Sequence, residues 1–111
     1  MSAVRSLDPG ARAEVLLELK RLAAGLRSDY EIDAIYVFGS FARRMEHEGS
    51  DIDLLVVGEL PGRIFDRIGE VLRRTALPIE PLVVTARSFE RRRREGDPLL
   101  RAIVGEGLRL V

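Results

Sequence analysis

Two apolar runs in the first half of the chain constrain its fold more than anything else in the sequence. The first, Ile32 to Phe38, ends at Gly39-Ser40, and the second, Ile52 to Val57, is opened by Asp51 and Asp53 at alternate positions. Short apolar runs bounded by glycine and polar residues predict strands, here joined by a turn, a short helix and a polar loop. Strand side chains alternate between faces, so Asp51 and Asp53 share one face while Ile52 and Leu54 take the other. At an effective dielectric of about 20, unit charges about 4 Å apart repel by about 4 kcal/mol, which raises one pKa or recruits a cation. Oxygen-only ligands of this kind suit Mg²⁺, which keeps several waters and shares carboxylates with substrate phosphates.

Gly39 lets the backbone turn sharply or approach a ligand closely. Ser40 is expected at the start of the following helix, where its hydroxyl can cap and the free N–H groups of the first turn can face an anion. A phosphate site beside a metal site is what these residue types imply together.

Gly39-Ser40-Phe-Ala-Arg43, followed ten residues after Ser40 by Ser50-Asp51-Ile-Asp53-Leu-Leu-Val, is similar to the signature of the DNA polymerase β-like nucleotidyltransferase superfamily. The chain most resembles its minimal branch, the small MNT proteins often encoded beside a HEPN-domain partner. Pro78-Ile-Glu80-Pro-Leu-Val-Val-Thr85 resembles the family's third-carboxylate strand, and Pro98 to Leu110 its closing helix and terminal strand. The resemblance implies a small α/β palm with a mixed sheet of three or four strands and helices packed mainly on one face. It also implies Asp51, Asp53 and Glu80 as catalytic residues and ligands of two Mg²⁺ ions, with Gly39, Ser40, Arg43 and Ser50 holding the nucleotide. The implied reaction moves AMP from ATP to a hydroxyl, most specifically a tyrosine of a HEPN-type toxin, with this chain as the antitoxin. Two alternatives are a module that neutralises its partner by contact alone, and a small-molecule nucleotidyltransferase of the aminoglycoside-modifying kind that completes its acceptor pocket by homodimerisation.

Three residues depart from the family pattern. Arg44 stands where glycine is usual, Glu80 where aspartate is usual, and Pro81 cannot donate to a sheet ladder, which places that strand at an edge or bulge. Arg44 either redirects the turn or takes a left-handed backbone under strain.

With 111 residues the chain is expected to form one domain, burying about 65% of the surface of its unfolded state. Eighteen basic and 18 acidic residues cancel, so no global field draws in long nucleic acid or an anionic membrane. Cysteine is absent, which removes disulfides, thiolate catalysis and Cys–zinc sites. No apolar run is long enough to span a bilayer, and the N-terminus lacks a signal-peptide core, so a cytoplasmic protein is expected. Lys20 is the only lysine beside 17 arginines.

Around the catalytic stretch, Asp8-Pro9 signals a helix start, and Val15, Leu16, Leu19, Leu22, Ala23 and Leu26 follow a helical period to about residue 27. The core strands and their crossover helix span 32–85; the crossover is predicted as about 14 residues from the stripe Ile64, Phe65, Ile68, Val71 and Leu72. The remainder, 87–111, is predicted to be a helix capped by Ser88, with Phe89 buried, then a helix over Leu99 to Val104 and a strand over 108–111. Arg91 to Arg94 would spread around the first of these helices as a solvated face, with a partner-binding or phosphate-guiding patch as the alternative. His47, the only histidine, reads as a solvated loop residue.

Overall fold

The computed structural model describes residues 9–44 and 51–111. Nine elements follow in order: α1 (Pro9–Asp29), β1 (Glu31–Phe38), α2 (Gly39–Ala42), β2 (Ile52–Glu59), α3 (Ile64–Leu72), β3 (Ile79–Val84), α4 (Ala86–Arg94), α5 (Pro98–Glu106) and β4 (Leu108–Arg109). The strands form one mixed sheet in the order β3-β2-β1-β4. β1 pairs antiparallel with β2 and with β4, whereas β2 and β3 are parallel, joined by the α3 crossover.

Both faces of the sheet are apolar, and this decides where the helices go. On the first face Ile35, Val37, Leu54 and Val56 pack with Leu19, Leu22 and Leu26 of α1, Phe41 of α2 and Val71 of α3. On the second, Ala34, Tyr36, Leu55 and Val57 pack with Phe89 of α4 and Leu100 and Ile103 of α5. Helices were expected mainly on one face; three lie there, but α4 and α5 cover the other, because the strands' alternate positions are apolar as well and need shelter from water.

Several boundaries differ from the sequence expectation for local reasons. α1 continues to Asp29, past Gly25, because the buried Leu26 and the Tyr30 N–H donating to Leu26 O (2.9 Å) hold its last turn. α3 has nine residues instead of about 14. It stops at Leu72, and beyond its last turn Thr75 leaves the helical path: its Oγ1 donates to Glu18 of α1 (3.0 Å) and accepts from the Leu77 N–H (3.1 Å). β4 is reduced to two residues, although Leu110 N still donates to Ile35 O at 2.7 Å.

α4 is capped by Thr85, whose Oγ1 accepts from the Ser88 N–H (3.0 Å). Ser88 therefore supplies the capped backbone, not the cap, since Thr85 has the extended backbone that a capping residue needs. Asp97 caps α5 by accepting from the N–H groups of Leu99 (2.9 Å) and Leu100 (3.2 Å), with Pro98 in the first helical turn. Asp8 and His47 lie outside the described residues.

An ionic cluster ties the start of the sheet to α3. Glu70 accepts from Arg74 (2.8 Å), Tyr30 Oη (2.8 Å) and Arg73 (2.7 Å), and Arg74 also reaches Asp29 at 2.7 Å. Those hydrogen bonds, the one from Arg74 first, pull the Glu70 carboxyl down to about 2. Among the described residues no helix is long and apolar enough to cross a membrane.

Candidate active site

The site forms where β1 ends and β2 begins. Phe38 closes β1 opposite Asp53 of β2, and Gly39 then turns the chain into α2 with φ of +70°. Gly39 lies so close to the Asp53 carboxylate that a β-carbon there would collide with Asp53 Oδ2. The turn therefore requires glycine twice over, for its left-handed backbone and for its missing side chain. Phe41 is 1% exposed and sits in the core of the first face, with the Arg12 guanidinium 4.2 Å from its ring centre. This anchor fixes the short α2 against the sheet.

Asp53 pairs in parallel register with Glu80 of β3, so the two carboxylates occupy matching positions on one face of neighbouring strands. Asp51 precedes β2 by one residue and is exposed, as is Glu80, whereas Asp53 is half-buried. Burial, then repulsion from Glu80 and from Asp51, raises the Asp53 pKa above the ordinary aspartate value, and nearby Arg43 opposes the rise. β3 is one of the sheet's two edge strands, where Pro81 is tolerated as the sequence required.

Ser40 falls inside the first turn of α2. The expectation that its hydroxyl caps this helix is not met: Phe38 takes the capping position and no side chain caps it, because Gly39 already has helical hydrogen bonding and moves the helix start one residue earlier. Arg43 ends α2, its N–H donating to Gly39 O at 3.1 Å. Arg44 follows with φ of +58°, the left-handed backbone that glycine would take, so the turn keeps its path despite the substitution. Ser50 lies outside the described residues.

A cavity of about 300 Å³ opens beside these groups. Gly39, Arg43 and Asp53 form one wall, and α5 forms the other through Leu99, Ala102, Ile103 and Glu106. The α5 residues were not singled out from sequence. Their spacing at i, i+3, i+4 and i+7 marks a single helix face, which was the available signal. Among the described residues no three acids or histidines converge as a preformed metal cage. The donor set nonetheless fits a hard divalent cation, since close carboxylates of which one resists ionisation are relieved by a positive charge that draws its other ligands from water and phosphate.

A family profile described as a nucleotidyltransferase domain matches residues 19–108. The chain belongs to this nucleotidyltransferase family. A crystal structure of a protein assigned as a nucleotidyltransferase from Sulfolobus solfataricus superposes with a TM-score of 0.59 at 26% identity, covering 72% of this chain and 75% of that one. A second structure, a toxin–antitoxin with AMP-PNP, gives a TM-score of 0.58 at 24% identity, covering 86% of this chain and 72% of that one, and shares the fold. No curated protein matches the sequence. The nucleotidyltransferase profile spans β1, the Gly39 turn, β2 and α5, whose residues line the cavity, and β3, which carries Glu80.

Proposed function

We propose that this chain is a magnesium-dependent nucleotidyltransferase that moves the AMP of ATP to a hydroxyl of a protein acceptor. The observation that carries this function is the juxtaposition of Asp53 with Glu80 across β2 and β3, next to the Gly39 turn. Asp51, Asp53 and Glu80 would hold Mg²⁺, and Gly39, Ser40, Arg43 and Ser50 would receive the phosphates. When bound, the two ions supply charge neutralisation at the α-phosphorus and lower the pKa of the attacking hydroxyl. Glu80, exposed at the sheet edge, would help ligate the metal that lowers the acceptor's pKa or take the acceptor's proton. Arg43 sets a positive charge near Asp53 and adds a phosphate ligand to the cavity wall.

The acceptor in this reading is a tyrosine of a HEPN-type toxin, with the chain acting as antitoxin. Support comes from the resemblance to the minimal branch and from the fold shared with a toxin–antitoxin that holds AMP-PNP. The left-handed Arg44 favours catalysis over a contact-only module, because the departure from glycine leaves the turn's backbone in place.

The test uses ATP labelled at the α- or the γ-phosphate, with Mg²⁺, in the presence and absence of a partner encoded next to this gene. Transfer of α-label alone, lost in Asp51→Asn, is the expected outcome. Transfer of γ-label would make the reaction kinase-like, and tight partner binding with no transfer would leave neutralisation by contact.

A further inference from the structure

The arginine run of α4 is not absorbed by the nucleotide site, and its side chains divide into two kinds. Arg92 is committed internally, its Nε donating to Asp97 at 2.9 Å. Arg87, Arg91, Arg93 and Arg94 are exposed and have no carboxylate partner among the described residues, and the same holds for Arg101 of α5. Two of these five converge. Arg93 and Arg101 line a depression of about 430 Å³ whose other walls are Gly96, Val104 and Gly105. Like charges facing one hollow without a counter-ion are relieved by an anionic guest, and a guanidinium binds a carboxylate through two parallel hydrogen bonds.

α5 separates this depression from the catalytic cavity. Its Leu99, Ala102, Ile103 and Glu106 face the cavity, whereas Arg101, Val104 and Gly105 face the depression. A helix with its side chains is about 10–12 Å across, and the cavity lies between α5 and Asp53, so a group seated at the arginines is at least that far from the reacting centre. An extended segment advances about 3.3 Å per residue and needs at least about three or four residues to span this.

We propose that the Arg93–Arg101 depression is a docking site for an acidic side chain of the protein acceptor, lying about four or more residues from the hydroxyl that receives the nucleotide. The acceptor's being a protein rests on the function proposed above. A peptide suits the surface better than a nucleic-acid strand does, because the exposed Glu90 and Glu95 of α4 and Glu106 of α5 interrupt the positive charge and would repel a continuous phosphodiester backbone. The half-buried Val104 and the partly exposed Leu99 add apolar contacts that such a segment can use.

The experiment titrates the intact chain with a fluorescein-labelled peptide carrying a tyrosine and a glutamate four residues apart, with the same peptide bearing glutamine instead, and with a 12-nucleotide single-stranded DNA. Three proteins are compared: wild type, the double variant Arg93→Glu/Arg101→Glu, and Arg87→Glu, which changes an arginine outside the depression. The glutamate peptide should bind about tenfold more tightly than the glutamine peptide, and the double variant should lose that preference while Arg87→Glu keeps it. Mg·ATP affinity should be the same in all three, and the double variant should melt only a little below wild type, because Arg93 also lies over the Phe89 ring in the last turn of α4. Equal binding of the two peptides, or a preference that survives in the double variant, overturns the proposal. DNA binding that disappears in the double variant while peptide binding does not also overturns it and makes the surface a nucleic-acid site. Mg·ATP affinity in wild type tests the transferase reading separately, so failure of either idea is visible without the other.

Discussion

Gly39 and Gly96 both have left-handed backbones, with φ of +70° and +77°, but their surroundings differ. A β-carbon at Gly96 would meet nothing within 4 Å, whereas at Gly39 it would collide with the Asp53 carboxylate and stand 3.1 Å from Asp53 Cγ. Alanine at either position incurs the left-handed penalty of about 1–2 kcal/mol, partly offset by about 0.4–1 kcal/mol from the stiffer unfolded chain. Gly96→Ala should therefore lower stability by about 1 kcal/mol, equivalent to about 4 °C in a chain of this size. Gly39→Ala adds the off-rotamer displacement of Asp53, about 0.5–1.5 kcal/mol, for a total of about 2 kcal/mol. The backbone of β2 need not move, because Asp53 Cβ would lie 3.4 Å from the new carbon, an ordinary contact. The carboxylate is what gives way. Thermal unfolding followed by circular dichroism, with calorimetric titration of Mg²⁺ and a non-hydrolysable ATP analogue at 25 °C, separates the two effects. Gly39→Ala should weaken the Mg·nucleotide complex by about 10–100-fold, as removal of an orienting group beside a metal ligand does, while Gly96→Ala leaves it unchanged. Equal nucleotide affinity in the two variants would refute the claim that Gly39 sets the orientation of Asp53.

Asp53→Asn should abolish transfer yet raise the thermal midpoint at pH 7. Because burial and its acidic neighbours hold the folded pKa above the ordinary 3.8, the native state binds the extra proton between those two values. Ionised Asp53 thus opposes folding at neutral pH, and the variant's advantage should shrink as pH falls through the folded pKa; an advantage independent of pH would count against this cause. Arg44→Gly should stabilise by about 0.5–1 kcal/mol, the strain of about 1–2 kcal/mol less glycine's unfolded-state entropy, read as a higher urea midpoint. For Glu70→Gln the sign reverses: the folded carboxyl is pulled down to about 2 from 4.5, so its contribution is complete above 4.5 and lost as pH falls toward 2. The variant should melt below wild type at pH 7 and converge with it near pH 2 in a pH series of melting curves.

Much of the fold was legible because its decisive signals are local. The strand alternation at Asp51 and Asp53, the helical spacing of Leu19, Leu22 and Leu26, and Pro81 marking an edge each depend on a few neighbouring residues. What escaped depends on contacts distant in sequence. The early end of α3 accompanies a hydrogen bond from Thr75 to Glu18 of α1, 57 positions away, and the covering of the second sheet face depends on where the chain returns after β3. At the site, Glu80 was joined to Asp51 and Asp53 by the family resemblance; the crossover expected between β2 and β3 does not by itself fix the register that sets Asp53 beside Glu80. Leu99 and Glu106 could not be placed there, since only the packing of Leu100 and Ile103 onto Tyr36 and Leu55 decides which face of α5 turns toward the cavity.

α5 consequently has three separate tasks on three faces. Leu100 and Ile103 bind it to the sheet, Ala102 and Glu106 shape the catalytic cavity, and Arg101 and Val104 line the depression toward α4. Its position is set at one end by the Asp97 cap, which is itself held by Arg92, and at the other by Gly107, whose N–H donates to Ile103 O at 2.7 Å as the chain enters β4. Arg92 hydrogen bonding to Asp97, with the capped N–H groups of Leu100 and Leu99, holds that carboxyl below its ordinary value, which favours the charged cap. The α4 arginine that is ion-paired to Asp97 therefore fixes the helix that carries Arg101 beside Arg93, whose guanidinium lies over the Phe89 ring (5.7 Å) without a carboxylate partner among the described residues. Loss of Arg92 should disturb the cavity and the depression together, whereas loss of Arg93 or Arg101 should leave the cavity intact.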